Sequence, residues 1–109
     1  MDLKALAKNS EMEEDEFREI VELFITSTQS DLTRLQSGLA KGSVKEVAIA
    51  AHSIKGSAGM IGMMAIYEVA KRVEMKAHEG SVEGTETAVE EIGEELNLVA
   101  KTLHESPSP

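Results

Sequence analysis

The sequence predicts an all-α fold, an antiparallel up-down-up-down four-helix bundle with a short N-terminal extension. Three observations favour this class. Apolar residues recur at three- and four-residue steps over most of the chain, which is the pattern of a helix with one buried face. Gly42, Gly62 and Gly80 fall between the periodic blocks, where glycine commonly ends a helix. The resulting connections are short, and helices joined in this way lie antiparallel to their neighbours.

The first predicted helix is the longest, from about Glu13 to Ala40. Its inner face would carry Phe17, Ile20, Val21, Phe24, Ile25, Leu32, Leu35 and Leu39. Ser43 is followed three residues later by Glu46, and this capping box predicts the start of the second helix. That helix should continue to about Ile61.

The third predicted helix runs from about Met64 to Glu79. The fourth begins at Ser81 or at Thr85 and continues through Leu103. Both hydroxyl residues are suitable N-caps, so the pattern leaves the start of this helix open between them.

Size and composition indicate one domain over residues 1–105. The chain has 109 residues, of which 41% are hydrophobic, enough for a single core. Residues 106–109, Ser-Pro-Ser-Pro, are predicted to be a disordered tail because proline cannot extend a helix.

The charge balance and the absence of cysteine exclude several classes of function. A net charge of −9 repels nucleic acid and anionic membrane surfaces, so neither is an expected partner. The chain has no cysteine, which excludes a thiol nucleophile and thiolate metal sites. It also lacks a signal-peptide pattern and a long apolar run. A cytoplasmic location is therefore expected. The chain is also expected to be a monomer.

The residues that can carry chemistry are concentrated in the second predicted helix. His52, Lys55, Gly56 and Gly59 share one face with Ala48, since residues three, four and seven apart align on a helix. The opposite side carries the apolar residues Val47, Ala50, Ile54, Ala58 and Ile61. This pattern turns the histidine toward solvent.

Two glycines beside this histidine need an explanation, because each costs about 1 kcal/mol in a helix interior. A nucleophilic imidazole that attacks phosphorus in another protein requires free approach. The missing side chains of Gly56 and Gly59 would provide that approach, and Lys55 could reach over the ring to offset phosphoryl charge. Alternatively, the glycines allow close helix packing or end the helix early.

The third predicted helix presents Tyr67, Lys71, Glu74 and His78 on one face. If that face abuts His52, Glu74 can accept a hydrogen bond from one ring nitrogen and leave the other as the nucleophile. Tyr67 and Lys71 are expected to be solvated. A divalent metal site formed by His52, Glu74 and His78 is a remote alternative, and the prediction is that the chain holds no metal.

The run His52-Ser53-Ile54-Lys55-Gly56-Ser57, followed by Gly62, resembles the His-x-x-Lys-Gly-Ser motif of histidine phosphotransfer (HPt) domains. That family includes the related phosphorylation-site domains of chemotaxis kinases. The similarity extends over most of the chain, from the long first helix to Glu74, which matches the family's amide or acidic partner of the imidazole.

The resemblance implies that His52 is the phosphorylation site, that Lys55 and Gly56 shape its surroundings, and that Glu74 orients the ring. Ser57 belongs to the motif, and its role stays open. Candidates for supporting or docking roles are Ala48, Ser57, Gly59, Lys71 and His78.

Two positions depart from the family pattern. His78 stands where Arg or Lys is frequent, which puts a second cation at the site in doubt. Met60 replaces a common polar residue after the motif. With Met63 and Met64 it either forms an adaptable docking patch or fills the end of the bundle.

The resemblance also implies a relay module that is not itself an enzyme. His52 would exchange a phosphoryl group with the aspartate of response-regulator receiver domains, which bring the catalysis and the magnesium, so the chain needs no cofactor. The main alternative is a chemotaxis-type kinase domain that is phosphorylated by a histidine kinase core with ATP. Another is a scaffold that binds receivers without being phosphorylated.

Overall fold

The structure, a computed structural model, describes residues 3–105, and every regular element in that range is an α-helix. Five helices follow one another: α1 Leu3–Asn9, α2 Glu14–Lys41, α3 Val44–Ile61, α4 Met64–His78 and α5 Ala88–Glu105. From α2 to α5, each helix packs against the helix that follows it, and α5 also packs against α2. The predicted all-α class is confirmed for this part of the chain, while the predicted tail, residues 106–109, lies outside it.

The structure has one helix more than the four that were predicted. The additional helix is α1, which forms where only a short N-terminal extension was expected. Its seven residues pack on α2, and Ala7 is buried. Fewer than two turns offer too few apolar positions for a helical period to be recognised.

The core consists of the apolar stripes that face inward from α2 to α5. Val47, Ala50, Ile54 and Ala58, which the periodicity predicted to be buried, are completely inaccessible on α3. Ile61 is half-buried at the end of the same helix. Because this stripe is fully enclosed, the opposite side of α3 has to face solvent. Within residues 3–105, no helix combines the length and apolarity needed to cross a bilayer.

Two-residue connections link α2 to α3 and α3 to α4. Gly42 ends α2 and Gly62 ends α3, each with a positive φ that favours glycine. Ser43 caps α3, and its hydroxyl accepts a hydrogen bond from the Glu46 N–H at 3.3 Å, as the capping box predicts. These tight connections place α3 directly beside α4.

Helix α5 begins at Ala88, so both predicted starts, Ser81 and Thr85, are wrong. The Ser81 hydroxyl accepts from the Glu83 N–H, and the Thr85 hydroxyl donates to the Val82 carbonyl, so both side chains stabilise turns. Gly80 and Gly84 also take positive φ values in this segment. A hydroxyl residue that caps a helix and one that closes a turn look alike in sequence.

Candidate functional site

His52 lies on the outer face of α3, and its side chain is 71% exposed. Its neighbours Ala51 and Ile54 are completely buried, so the helix presents the imidazole while anchoring the backbone that carries it. The prediction that His52 faces solvent agrees with this placement.

Glu74 on α4 contacts the imidazole directly. Nδ1 of His52 lies 2.6 Å from Oε2 of Glu74, and the Glu74 side chain is only 10% exposed. Burial opposes ionisation of this carboxyl, but hydrogen bonds from Lys55 and His52 outweigh it and hold the pKa of Glu74 below its ordinary value. An ionised carboxylate only accepts hydrogen bonds, so Nδ1 donates, and in the neutral ring the lone pair is then on Nε2.

Lys55 contacts the second oxygen of the Glu74 carboxylate. Its Nζ lies 2.5 Å from Oε1 of Glu74, and this hydrogen bond raises the pKa of Lys55 against the smaller opposing effect of burial. From its place in the sequence, Lys55 was expected to reach over the ring. In the structure the ammonium contacts Glu74, and a hydrogen bond between two ionised groups is a strong one.

His78 and Lys71 lie at the edge of this cluster. Nε2 of His78 is 3.9 Å from Oε2 of Glu74, beyond hydrogen-bond distance, and the side chain is exposed. Lys71 is exposed one turn before Glu74. Among residues 3–105, no group of three or more His, Asp or Glu side chains is arranged to hold a metal ion.

The two glycines of the motif differ in their surroundings. A Cβ atom on Gly56 would meet no side chain and no other helix within 4 Å. A Cβ atom on Gly59 would lie 3.2 Å from Cδ2 and 3.3 Å from Cε2 of Tyr67. Gly56 therefore leaves open space one turn from His52, whereas Gly59 accommodates the Tyr67 ring. That ring is half-buried, although the sequence analysis expected it to be solvated.

A contact between α3 and α2 was not predicted from the sequence. The hydroxyl of Ser53, next to His52, donates to Oδ2 of Asp31 at 2.7 Å. Consecutive residues of a helix point in different directions, so Ser53 is expected to face away from α4, which His52 contacts. No local pattern in the sequence identifies the partner of Ser53. Ala48 and Ser57 are half-buried, and neither takes part in the hydrogen bonds that join His52, Glu74 and Lys55.

The lowered pKa of Glu74 predicts an acid dependence of stability. A carboxylate whose pKa falls on folding contributes stability above its unfolded pKa, about 4.3, and the contribution is lost as pH falls through the folded pKa. We expect Glu74→Gln to lower the free energy of unfolding near neutral pH. The difference from the unchanged chain should shrink between roughly pH 5 and pH 3. Urea unfolding across this range measures it, and a difference that does not vary with pH would contradict the assignment.

Comparisons with known proteins agree with the all-α fold and show the family of the chain. A profile of the family described as Hpt domain matches residues 19–102, which is most of the chain. The fold is similar to that of histidine-containing phosphotransfer protein B (HptB) from Pseudomonas aeruginosa PAO1, with a TM-score of 0.83 and 24% sequence identity. That match covers 95% of this chain and 90% of the other. No curated protein matched the sequence.

Proposed function

The chain belongs to the Hpt domain family and is a histidine phosphotransfer intermediate of two-component phosphorelays, and from this premise we propose that His52 carries the phosphoryl group. One observation supports this choice above the others: a 71% exposed imidazole that donates from Nδ1 to a buried carboxylate. A phosphoryl acceptor needs an accessible lone pair and a fixed tautomer. His52 meets both requirements.

In the proposed step, the Nε2 lone pair attacks the phosphorus of an aspartyl phosphate on the partner. A P–N bond forms at Nε2 while the P–O bond to the aspartyl carboxylate breaks, and its electron pair leaves with that carboxylate. The hydrogen on Nδ1 stays in place, so the phosphorylated ring carries a positive charge beside Glu74. Return transfer reverses the same two bond changes.

Glu74 would balance the charge that develops on the ring during transfer. Its two oxygens contact His52 and Lys55, at 2.6 Å and 2.5 Å. Because these contacts keep the carboxylate ionised, a negative charge is already in position when the ring becomes cationic. Lys55 thus acts on the ring through Glu74.

Catalysis and magnesium are proposed to come from the partner receiver domain, and this chain would need no cofactor of its own. The Hpt family interacts with response-regulator receivers and kinases.

We propose the outer face of α3 and α4 around His52 as the docking surface. Exposed apolar groups flank it on α3, at Ile49 and at Met60, which is 86% exposed. A modest interface of this kind allows rapid release. Monomeric state and cytoplasmic location stay predictions.

We also infer that α2, α3 and α4 run antiparallel to one another in turn, as the expected bundle requires. On α2, Asp31 contacts Ser53, and Gly38, farther along α2, lies against Val47, which comes earlier on α3. The order of contacts is therefore reversed between the two helices. Contacts between α3 and α4 are reversed in the same way. His52 pairs with Glu74, whereas Gly59, which comes later on α3, lies against Tyr67, which comes earlier on α4.

The proposed function is tested by transfer assays with two kinds of donor. The chain is incubated with a panel of phosphorylated receiver domains and, separately, with a histidine kinase core and ATP. Mass spectrometry under neutral conditions then locates the phosphoryl group. We expect label on His52 from a receiver donor. Label that arises only from the kinase core would favour the kinase-domain alternative, and receiver binding without any label would indicate a scaffold.

Gly56→Leu should reduce phosphoryl transfer by at least about ten-fold, because a bulky side chain one turn from His52 obstructs the approaching partner. Folding should not suffer, since a Cβ atom there meets no side chain within 4 Å and leucine favours the helix. Single-turnover transfer and urea unfolding measure the two effects. Gly56→Ala is the graded control, with a smaller loss of rate. Undiminished transfer in the leucine variant would remove this explanation of the glycine.

A further inference from the structure

We propose that Tyr67 is a positioning residue for the phosphoryl-carrying site. Its ring packs on the bare backbone of α3 at Gly59 and so keeps Lys55 of α3 and Glu74 of α4 in contact. This inference rests on the proposed function of His52. It assigns Gly59 to the packing of Tyr67 and separates it from Gly56, which lies open beside the imidazole.

The contact between Tyr67 and α3 is close. A Cβ atom on Gly59 would lie 3.2 Å from Cδ2 and 3.3 Å from Cε2 of the ring, tighter than an ordinary van der Waals contact. The ring edge therefore occupies the space where any other residue would place its side chain. Since Tyr67 is half-buried, this is a packed contact between α3 and α4.

Tyr67 and Gly59 lie in the same groove between α3 and α4 as the hydrogen-bonded cluster. Gly59 follows Lys55 by four residues on α3, and Tyr67 precedes Glu74 by seven on α4, so each pair shares one helix face. The Lys55 side chain is only 27% exposed. Tyr67 is also among the groups that raise the pKa of Lys55, after the hydrogen bond to Glu74 and against burial.

Displacing the ring should disturb the spacing of the two helices next to Lys55. A methyl group on Gly59 would require Tyr67 or the α3 backbone to move by a few tenths of an ångström. The contacts of Glu74 with His52 and Lys55 span the same two helices and would loosen in response. A misplacement of about 1 Å can cost roughly 100-fold in rate, so a smaller shift should cause a smaller but measurable loss.

The test is a mutant cycle of Gly59→Ala, Tyr67→Ala and the double variant, with kcat and KM measured against a phosphorylated receiver domain. We expect each single variant to lower kcat roughly five-fold with little change in KM. The double variant should be no worse than Tyr67→Ala, because the added methyl then has nothing to displace. If Gly59→Ala lowers the rate equally in both backgrounds, the glycine serves partner access and the proposal is overturned.

Two further variants separate positioning from general effects on folding. Gly93→Ala is the matched control: Gly93 lies on α5, where a Cβ atom meets nothing within 4 Å, so this variant should transfer like the unchanged chain. Tyr67→Phe keeps the ring and should stay within about two-fold of the unchanged rate. A loss in Tyr67→Phe as large as in Tyr67→Ala would contradict a role based on packing.

A spectroscopic measurement tests the proposal even if no donor phosphorylates the chain. The ¹⁵N chemical shifts of the His52 ring report which nitrogen carries hydrogen in the unphosphorylated protein. Gly59→Ala and Tyr67→Ala should move the neutral ring from the Nδ1–H form toward a mixture of tautomers, and Gly93→Ala should not. Unchanged shifts in both site variants would overturn the proposal. Absence of label from every donor would instead count against the proposed function.

Discussion

We expect His52→Gln to accept no phosphoryl group while its free energy of unfolding stays within about 1 kcal/mol of the unchanged chain. The first expectation follows because glutamine has no nucleophilic ring nitrogen. The second follows because the side chain is 71% exposed. The glutamine amide can also donate to Glu74, which keeps its contact with Lys55. Mass spectrometry of the phosphorylated chain and urea unfolding measure the two quantities.

Other exposed histidines supply the controls for this experiment. His104→Gln, near the end of α5, should be phosphorylated like the unchanged chain. His78→Gln should also keep its label, since His78 lies 3.9 Å from Glu74 and is not the proposed acceptor. A label that survives in His52→Gln and is lost in one of these variants would assign the site elsewhere. A large loss of stability in His52→Gln would show that the ring contributes to folding.

Glu74→Gln should lower the rate of phosphoryl transfer by roughly 10- to 100-fold, the loss that follows removal of the partner that orients a metal-bound histidine. The family resembled by this chain also has amides at this position, but here both oxygens of Glu74 are used, by His52 and Lys55, and an amide has only one accepting oxygen. Its NH₂ group can face Nδ1 instead, so the ring would no longer be restricted to the tautomer with a free Nε2 lone pair. The variant also removes the negative charge that balances the phosphorylated ring. Single-turnover transfer from a phosphorylated receiver domain measures the loss.

Glu68→Gln is the matched control for Glu74→Gln. Glu68 lies on the same helix and is exposed, so its neutralisation changes the charge of α4 by the same amount without touching His52. We expect its transfer rate to be close to that of the unchanged chain. Equal losses in both variants would mean that the overall charge of the helix matters and that Glu74 does not orient the ring.

Features that depend on residues close in sequence could be predicted. The Ser43–Glu46 cap and the glycine ends of α2 and α3 follow from local backbone chemistry. The outward orientation of His52 follows from the apolar stripe on the other side of its helix. Even its contact with Glu74 could be anticipated, because short connections bring consecutive helices together.

Apart from this contact, features that depend on how the helices pack against each other could not be predicted. The pairing of Ser53 with Asp31 requires the rotation of α2 against α3, which no local pattern contains. The packing of Tyr67 on Gly59 depends in the same way on how closely α3 approaches α4. The position of Lys55 on Glu74 also depends on how α3 packs against α4, because the two residues lie on different helices.

The two-residue connection between α3 and α4 affects how the site can change during evolution. His52 and Glu74 are 22 residues apart in sequence, yet both belong to one compact helical hairpin. The entropic cost of bringing them together is therefore met during folding, before any donor arrives. Helix α1 and the segment before α5 contribute no group to this pair. Insertions and sequence drift should be tolerated there while the reactive geometry is inherited intact.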